Sequence, residues 1–350
     1  MRLRVIESRP DLTLVHWTGD RGCWATRGRQ ILESERPAGP WRGFGAFPSQ
    51  GPKDWLGLGR LPRRLLRTDK CNVWPTRAGR ILGVRGRQVL RYLPEPDPRP
   101  TTLFEIEGDC VMSRALAEDS DGNIYFGEYF MNPDRVPVRI WQVDPSLENW
   151  RVAFRFDQPR IRHVHAIHAD PFVSDRLWIT MGDFAGECFL AYTDDRFEKV
   201  QFIGNGSQLW RSVGLLFTEQ EIVWLTDTHI DQNHIVSLPR NQDEPIIHGD
   251  RDASSWYMAR TTDGLSLATT TVEPGPGIQT DQVRLLASRD NVEWIPVATF
   301  QKDWYPMLGF GFGSLSLPAG EFDSGGFWLS GEGVVGLDGR SIFCAIEPDA

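Results

Sequence analysis

The sequence predicts an all-β fold, a seven-bladed β-propeller of four-stranded antiparallel blades, with six blades as the alternative. Two observations predict it. A strand that begins with an aromatic or leucine residue and soon reaches a small residue recurs about every fifty residues along the whole chain. Each copy is short and lies between turns, and no amphipathic helix of convincing length interrupts the series.

The repeat can be followed from one end of the chain to the other. Its copies begin at Trp24, Trp74, Tyr125, Trp178, Trp224, Leu267 and Trp328. The stretches that begin at Trp24 and Trp74, WATRGRQIL and WPTRAGRIL, are nearly identical, so we expect them to be equivalent. A short apolar run and a turn come before the aromatic strand, and one or two further alternating strands follow it. This is the layout of a propeller blade.

The first predicted strand, RLRVIES at positions 2–8, lies outside the first complete unit. We expect it to pair with SIFCAIE at positions 341–347 in the last blade. That pairing would close the ring and remove two exposed sheet edges. The sequence therefore predicts one propeller domain over residues 1–350.

Composition excludes several classes of function. The net charge of -9 argues against a protein that binds nucleic acid by neutralising phosphates. No window is long and apolar enough for a membrane helix, and no charged and then apolar leader stands at the start. The five cysteines are dispersed and include no CxxC pair, as expected of reduced, buried thiols. These features predict a cytoplasmic protein without nucleic-acid or membrane partners.

Three turns containing Ser or Asp are followed by a tryptophan, at positions 34–41, 144–150 and 288–294. They resemble the Asp-box turns, S-x-D-x-G-x-T-W, of the sialidase-like (BNR) β-propeller superfamily. The resemblance implies the architecture only, because the early Arg-Ile-Pro motif of sialidases is absent. Seven-bladed propellers also include polysaccharide lyases, among them a cytosolic oligogalacturonate lyase type that is similar to this chain in size.

Polar residues recur at equivalent places of consecutive units. In a propeller, the first strand of each blade begins on the face to which the loop between the second and third strands returns. We therefore expect one channel mouth to collect Arg114, His165 and Arg211 from the first strands. The second-strand ends would add Glu128, Tyr129, Asp183, Asp227 and His229.

We assign roles to these side chains as hypotheses. The predicted catalytic residues are His165, Tyr129, Arg211, Asp183 and Glu128. The predicted substrate-binding residues are Arg114, Arg211, Trp210, Asp227 and His229. Each has a structural alternative: a histidine can bond to the backbone of the next blade, an arginine can pair with a carboxylate, and a tryptophan can pack.

The segment IRHVHAIHAD at positions 161–170 contains three histidines. Side chains alternate along a strand, so His163 and His165 share one face and His168 points the other way. A divalent metal at the mouth would therefore use His163 and His165, with His229 or Asp183 from the next loops. We expect His168 to pack between blades.

These residues predict an enzyme that cleaves glycosidic bonds in an acidic, uronate-type saccharide by β-elimination. Arginine would neutralise the carboxylate, and His165 or Tyr129 would remove the C5 proton. One alternative is a sialidase-like glycoside hydrolase with two carboxylates from Glu128, Asp183 and Asp227. Another is a non-catalytic propeller that binds glycans or proteins. The expected ligand is an acidic oligosaccharide or another small anion.

Overall fold

The computed structural model describes residues 1–57, 59–94, 98–110, 112–157 and 161–348. In these ranges the strands form antiparallel sheets, mostly four-stranded, as the sequence predicts. The main strands can be divided into seven groups of four, which we call blades 1 to 7, although the last two groups are joined in one eight-stranded sheet. Blade 7 includes the first strand of the chain, β1 (Arg2–Arg9). All five cysteines are buried free thiols.

The first four blades follow one another along the chain. Blade 1 consists of β2 to β5, at Leu14–Thr18, Cys23–Arg27, Gln30–Ser34 and Arg42–Ala46. Blade 2 consists of β6 to β9, at Cys71–Pro75, Ile81–Arg85, Gln88–Tyr92 and Thr101–Glu105. Blade 3 consists of β10 to β13, at Ala117–Glu118, Ile124–Gly127, Val138–Val143 and Trp150–Phe156. Blade 4 consists of β14 to β17, at Val164–Ala169, Leu177–Met181, Cys188–Thr193 and Gln201–Gly206.

The remaining blades complete the ring. Blade 5 consists of β18 to β21, at Leu216–Phe217, Glu221–Leu225, Asn233–Pro239 and Ile246–Arg251. Blade 6 consists of β22 to β25, at Ser254–Arg260, Ser266–Val272, Gln282–Ser288 and Ile295–Gln301. The short β27 (Ala319–Gly320) pairs in parallel with β2. Blade 7 consists of β1 together with β26, β28 and β29, at Gly313–Ser316, Phe327–Glu332 and Arg340–Glu347.

The two ends of the chain meet in blade 7. β1 pairs antiparallel with β29, from Arg2 opposite Glu347 to Arg9 opposite Ser341, with a register shift between Val5 and Glu7. This is the pairing that the sequence predicts for the first strand, and it joins the two chain ends in one sheet. The assignment of all 350 residues to one domain stays a prediction.

Burial explains why the aromatic repeat could be read. The second strands lie between neighbouring blades, so residues on both of their faces are covered. Tyr125, Trp178, Trp224 and Trp328 occur in these strands, and each is at most 2% exposed. The fourth strands lie at the outer edge and have exposed positions, as in β9 and β13.

One expectation about the repeat is wrong. Trp24 lies in β3, the second strand of blade 1, whereas Trp74 lies in β6, the first strand of blade 2. Both segments are hairpins that turn through a glycine at positive φ, Gly28 at 60° and Gly79 at 73°. The two sequences are similar because both form hairpins of the same kind, although the hairpins occupy different places in their blades.

The three turns that resemble Asp boxes all connect the third strand of a blade to the fourth. In the last of them, Asp290 Oδ1 accepts hydrogen bonds from the backbone N–H groups of Val292 (3.0 Å) and Glu293 (2.9 Å), and from Ser288 Oγ (3.1 Å). The carboxylate closes the turn through backbone contacts. Membership of the sialidase-like superfamily stays a prediction.

Helices occur in the connections between blades. α1 (Pro52–Leu56) and α2 (Arg60–Leu66) link blade 1 to blade 2, and α3 (Met307–Phe310) links blade 6 to blade 7. A short 3-10 helix, Gln208–Trp210, leads from blade 4 into blade 5. Within the ranges that the structure describes, none of these helices is long and apolar enough to cross a membrane.

Candidate functional site

A carboxylate stands at or just after the end of the second strand in five consecutive blades. These residues are Glu128, Asp183, Asp227, Glu273 and Glu332. Because strands alternate in direction, the second strands end on the face where the first strands begin. We call this the mouth face. Histidine and arginine residues at the starts of first strands reach this face, where Asp183 and Asp227 contact them, and Glu273 lies near His229 of blade 5.

Asp183 is the centre of this group. Its Oδ1 lies 3.1 Å from His165 Nε2, 3.4 Å from His163 Nε2 and 3.1 Å from Arg211 Nη2. Its Oδ2 accepts a hydrogen bond from Arg162 Nη1 at 2.6 Å. The Asp183 side chain is only 7% exposed, so these interactions are shielded from water. Two imidazoles and two guanidinium groups therefore surround one buried carboxylate.

The backbone of the two adjacent blades orients both imidazoles. His163 Nδ1 donates to the carbonyl oxygen of Phe130, after the second strand of blade 3, at 2.9 Å. His165 Nδ1 donates to the carbonyl oxygen of Ser212, before the first strand of blade 5, at 2.8 Å. Tyr129 stacks on His163 with ring centroids 4.0 Å apart. Because Nδ1 carries the proton, a neutral ring has a lone pair on Nε2, and in both histidines this lone pair points toward Asp183.

Arg211 extends the group into blade 5. Its Nη2 lies 3.4 Å from Asp227 Oδ2, and its Nη1 donates to His229 Nδ1 at 2.9 Å. Asp227 Oδ1 in turn accepts a hydrogen bond from Trp256 Nε1 of blade 6 at 2.9 Å. Arg211 thus links Asp183 and Asp227 across the blade interface.

Glu273 adds a third carboxylate. Its Oε1 accepts a hydrogen bond from Ser254 Oγ at 2.9 Å, and its Oε2 lies 3.9 Å from His229 Nδ1. Glu273 also lines an open depression of about 640 Å³, together with Val272, Gly275, Ile278, Gln279, Thr280, Asp281, Gln282 and Met307. We call the group His163, His165, Asp183, Arg162, Arg211, Asp227, His229 and Glu273 the histidine cluster. Glu273 is where it meets this depression.

The environments of the three carboxyl groups differ. Burial alone would raise the pKa of Asp183, but His163, His165 and Arg211 hold it well below its usual range. Burial raises the pKa of Asp227, and the Arg211 charge only partly opposes this. Burial, together with the negative charge of Asp227, raises the pKa of Glu273 to about 8. The cluster therefore combines an ionised carboxylate with a carboxyl group that titrates near neutral pH.

The aromatic groups are shifted as well. Burial lowers the pKa of His163, although Asp183 opposes the shift. Burial and the charges of Asp183 and Asp227 raise the pKa of the Tyr129 phenol. Burial and the Arg211 charge lower the pKa of His229. Displaced titration of several groups in one place is a feature of functional sites.

Glu128, one of the predicted catalytic residues, lies apart from this group. Its carboxylate is fully buried within blade 3 and accepts hydrogen bonds from the backbone N–H groups of Glu107 and Arg139, each at 3.2 Å. Trp141 Nε1 donates to it at 3.1 Å. Both oxygens are thus used in joining strands of the same blade and its preceding loop.

Two predicted substrate-binding residues also have other surroundings. Arg114, at a positive φ of 61°, donates to the carbonyl oxygen of Pro318 near blade 7. Trp210 is buried and stacks on Trp224, with ring centroids 5.7 Å apart. His168, which we expected to pack between blades, donates its Nε2–H to the carbonyl oxygen of Val213 at 2.8 Å.

The sequence-based reasoning missed three members of the site. Glu273 has the same place in blade 6 that Asp227 has in blade 5, so the repeat could have found it. Arg162 directly precedes His163, but nothing in the sequence shows that it turns toward Asp183. Trp256 lies in the first strand of blade 6, and its bond to Asp227 depends on how two blades meet.

One group in the cluster has the composition of a metal site. The donor atoms of His163, His165 and Asp183 all lie within 4.8 Å of one another, and all three residues are buried. His229, predicted as a third histidine ligand, directs its Nδ1 to Arg211 instead. The carboxylate of Asp183 is therefore the third potential ligand beside the two imidazoles.

Comparisons with known proteins agree on the fold. Neither a protein-family model nor a curated protein matches the sequence. Among solved structures, a catalytically inactive His-to-Ala form of virginiamycin B lyase from Staphylococcus aureus, with quinupristin, is similar over 99% of both chains. Its TM-score is 0.59 and its identity 11%. The shared feature is the β-propeller.

Two further structures are similar in the same way. An ulvan lyase of polysaccharide lyase family PL25, bound to GlcA(1-4)Rha3S, has a TM-score of 0.59 at 10% identity, over 97% of this chain and 94% of that one. An oligogalacturonate lyase from Vibrio parahaemolyticus has a TM-score of 0.58 at 9% identity, over 100% of this chain and 98% of that one. At such identities the similarity is one of fold.

Proposed function

We propose that the chain is a lyase that cleaves an acidic, uronate-containing oligo- or polysaccharide by β-elimination. The observation that carries this proposal is the position of Glu273, which belongs both to the histidine cluster and to the wall of the depression of about 640 Å³. A ligand in that depression would reach the histidine cluster at Glu273. The three propeller neighbours are lyases, and two of them are named for uronate saccharides.

β-Elimination needs positive charge near the substrate carboxylate, a base for the C5 proton and a proton donor for the leaving oxygen. Arg162 and Arg211 supply the positive potential. We assign Glu273 as the base, because its pKa of about 8 makes the ionised carboxylate a stronger base than an ordinary one. It acts in its ionised form, whose share grows as the pH rises toward 8. We assign Tyr129 as the proton donor to the leaving oxygen.

In this step the C5–H electron pair forms the C4–C5 double bond as Glu273 takes the proton. The C4–O4 bond breaks, and O4 takes a proton from Tyr129. His165 has a different role from the one expected from sequence. Its Nδ1 bonds to Ser212 O and its Nε2 faces Asp183 Oδ1, so we do not assign it as the base that removes the C5 proton.

The test is product analysis on a panel of uronate and neutral oligosaccharides. A lyase leaves a C4–C5 double bond at the new chain end, and this unsaturated product is one water lighter than the corresponding product of hydrolysis. Glu273→Gln and Tyr129→Phe should each lower kcat by about 10²- to 10⁴-fold. The matched control is Glu35→Gln, since Glu35 is 88% exposed on the outer hairpin of blade 1.

The alternatives have distinct outcomes in the same assay. Saturated products would favour the sialidase-like glycoside hydrolase, for which Asp183, Asp227 and Glu273 at one mouth provide the carboxylates. Binding without any product would favour a non-catalytic glycan- or protein-binding propeller. The acidic ligand and the cytoplasmic location stay predictions.

A further inference from the structure

The two imidazoles and the carboxylate at the centre of the histidine cluster have the arrangement of metal ligands. Ligating histidines in proteins usually donate the second ring nitrogen to a carbonyl or carboxylate, which fixes the tautomer. His163 and His165 do this through Nδ1, to the carbonyl oxygens of Phe130 and Ser212. Both Nε2 atoms are thereby presented to the same side, toward Asp183.

The facing atoms of His163, His165 and the Asp183 carboxylate repel one another when both imidazoles are neutral. A neutral imidazole with its proton on Nδ1 offers a lone pair at Nε2, and Asp183 Oδ1 also offers lone pairs. Asp183 Oδ1 lies 3.1 Å from His165 Nε2 and 3.4 Å from His163 Nε2. His163 Nε2 is buried and has no hydrogen-bond partner among the residues that the structure describes. A cation shared by the three atoms would satisfy them all.

Two of the three separations among these ligand atoms fit such a cation. Metal–ligand bonds of about 2.0–2.2 Å, at tetrahedral or octahedral angles, place neighbouring ligand atoms about 3.0–3.5 Å apart. The two distances from Asp183 Oδ1 to the imidazoles lie in that range. Two nitrogens and one carboxylate suit divalent ions from the manganese-to-zinc series better than calcium or magnesium, which prefer oxygen ligands.

The neighbouring cations must be accommodated. Arg162 Nη1 holds Asp183 Oδ2 at 2.6 Å and so leaves Oδ1 turned toward the imidazoles. Arg211 Nη2 competes for Oδ1 at 3.1 Å, but Asp227 Oδ2 lies 3.4 Å from the same nitrogen. Arg211 can therefore retain a carboxylate partner when Oδ1 binds an ion.

We propose that His163, His165 and Asp183 bind one divalent transition-metal ion and leave coordination positions open for a ligand. The site stands on these contacts and does not require the proposed lyase activity. If that activity holds, the open positions would suit the carboxylate of the uronate substrate.

The first test uses the full-length protein after dialysis against a chelator. ZnCl2, MnCl2 and CoCl2 are titrated separately by isothermal titration calorimetry, and bound metal is measured by mass spectrometry. One equivalent per chain of at least one ion is the expected result. On addition of Zn²⁺, the ring ¹⁵N signals of His163 and His165 should shift. The proposal would be overturned if none of the three ions bound stoichiometrically.

The second test separates this site from incidental binding by histidines. His163→Gln, His165→Ala and Asp183→Asn should each weaken binding by at least about 100-fold. His234→Ala is the matched control, because His234 pairs with Asp250 on blade 5 outside the cluster. Circular dichroism checks that each variant is folded. Equal metal affinity of the His163→Gln and His234→Ala variants would refute the site. Metal binding by a protein that forms no lyase products would contradict the proposed function and leave the metal site supported.

Discussion

Two groups of buried charges lie on the mouth face, and they are built differently. The histidine cluster joins blades 4, 5 and 6. A second group, which we call the helical cluster, joins α2 to the connections around blade 7. Its members are Arg60, Arg64, Lys70, Asp303, Glu332 and Asp338.

In the helical cluster, permanent cations meet carboxylates from distant parts of the chain. The Arg64 side chain is fully buried; its Nη1 lies 2.5 Å from Asp303 Oδ2, and its Nε donates to the carbonyl oxygen of Phe310 in α3. Arg60 bonds both oxygens of Asp338, at 2.7 and 3.0 Å. These pairs hold α2 and α3 against blade 7.

The histidine cluster contains groups whose protonation changes in the physiological range. There the pKa of Glu273 is raised to about 8, while that of Asp183 is depressed. In the helical cluster, burial alone would raise the pKa values of Asp303 and Glu332, but the neighbouring Arg64 and Lys70 hold them below their ordinary range. Burial of charge is thus common to both clusters, and the candidate site is distinguished by a carboxyl group whose pKa is raised to about 8 and by the open depression beside it.

A matched pair of variants gives the largest expected effect. Arg211→Met and Arg64→Met each leave buried carboxylates without their cation, so each should lower the free energy of unfolding by about 3–5 kcal/mol. Only Arg211→Met should also lose turnover per folded molecule. Urea unfolding and product formation at a temperature where both variants are folded provide the two readouts. Loss of turnover in folded Arg64→Met would remove the distinction between the clusters.

The pH dependence of stability should reveal Glu273. Its pKa is raised from the ordinary 4.5 to about 8, so between these values the folded state keeps a proton that the unfolded state loses. This contribution is complete below about pH 4.5 and disappears as the pH rises through about 8. The free energy of unfolding should therefore decline by a few kcal/mol over that window. Glu273→Gln should flatten the decline, and an unchanged slope would contradict the assignment.

Glu128 tests whether position in the repeat is enough for function. Glu128→Ala removes the acceptor for Glu107 N, Arg139 N and Trp141 Nε1, so the free energy of unfolding should fall by about 1–3 kcal/mol. We expect kcat to stay the same, because this carboxylate is used within blade 3. A large fall in kcat with unchanged stability would place Glu128 in the chemistry.

The smallest expected effect on stability comes from an exposed ion pair. Arg42 lies 3.0 Å from Glu33 in the outer hairpin of blade 1 and is 67% exposed. Arg42→Ala should change the free energy of unfolding by less than about 0.5 kcal/mol and leave turnover unaltered. Chemical denaturation measures the first and the product assay the second. A larger loss would show that exposed pairs also support the ring.

Local sequence carries much of the fold. Strands, turns and buried aromatic residues depend on alternation and on neighbours close in the chain, so the blades could be predicted from the repeat. The equivalence of Trp24 and Trp74 was wrong because first and second strands have similar patterns and similar hairpin turns. Glu273 went unnoticed, although its place after a second strand was visible in the same repeat.

The sequence by itself determined the β-propeller, the pairing of its first strand with its last, and three carboxylates at the ends of successive second strands, Glu128, Asp183 and Asp227. Only the tertiary structure decided which carboxylate meets a cation from another blade. Glu128 and Asp183 follow equivalent strands, yet Glu128 binds donors of its own blade and loop, while Asp183 binds Arg211 of the next blade. The physical reason is that these contacts depend on the rotation and spacing of adjacent blades, which are set by packing over their whole interfaces.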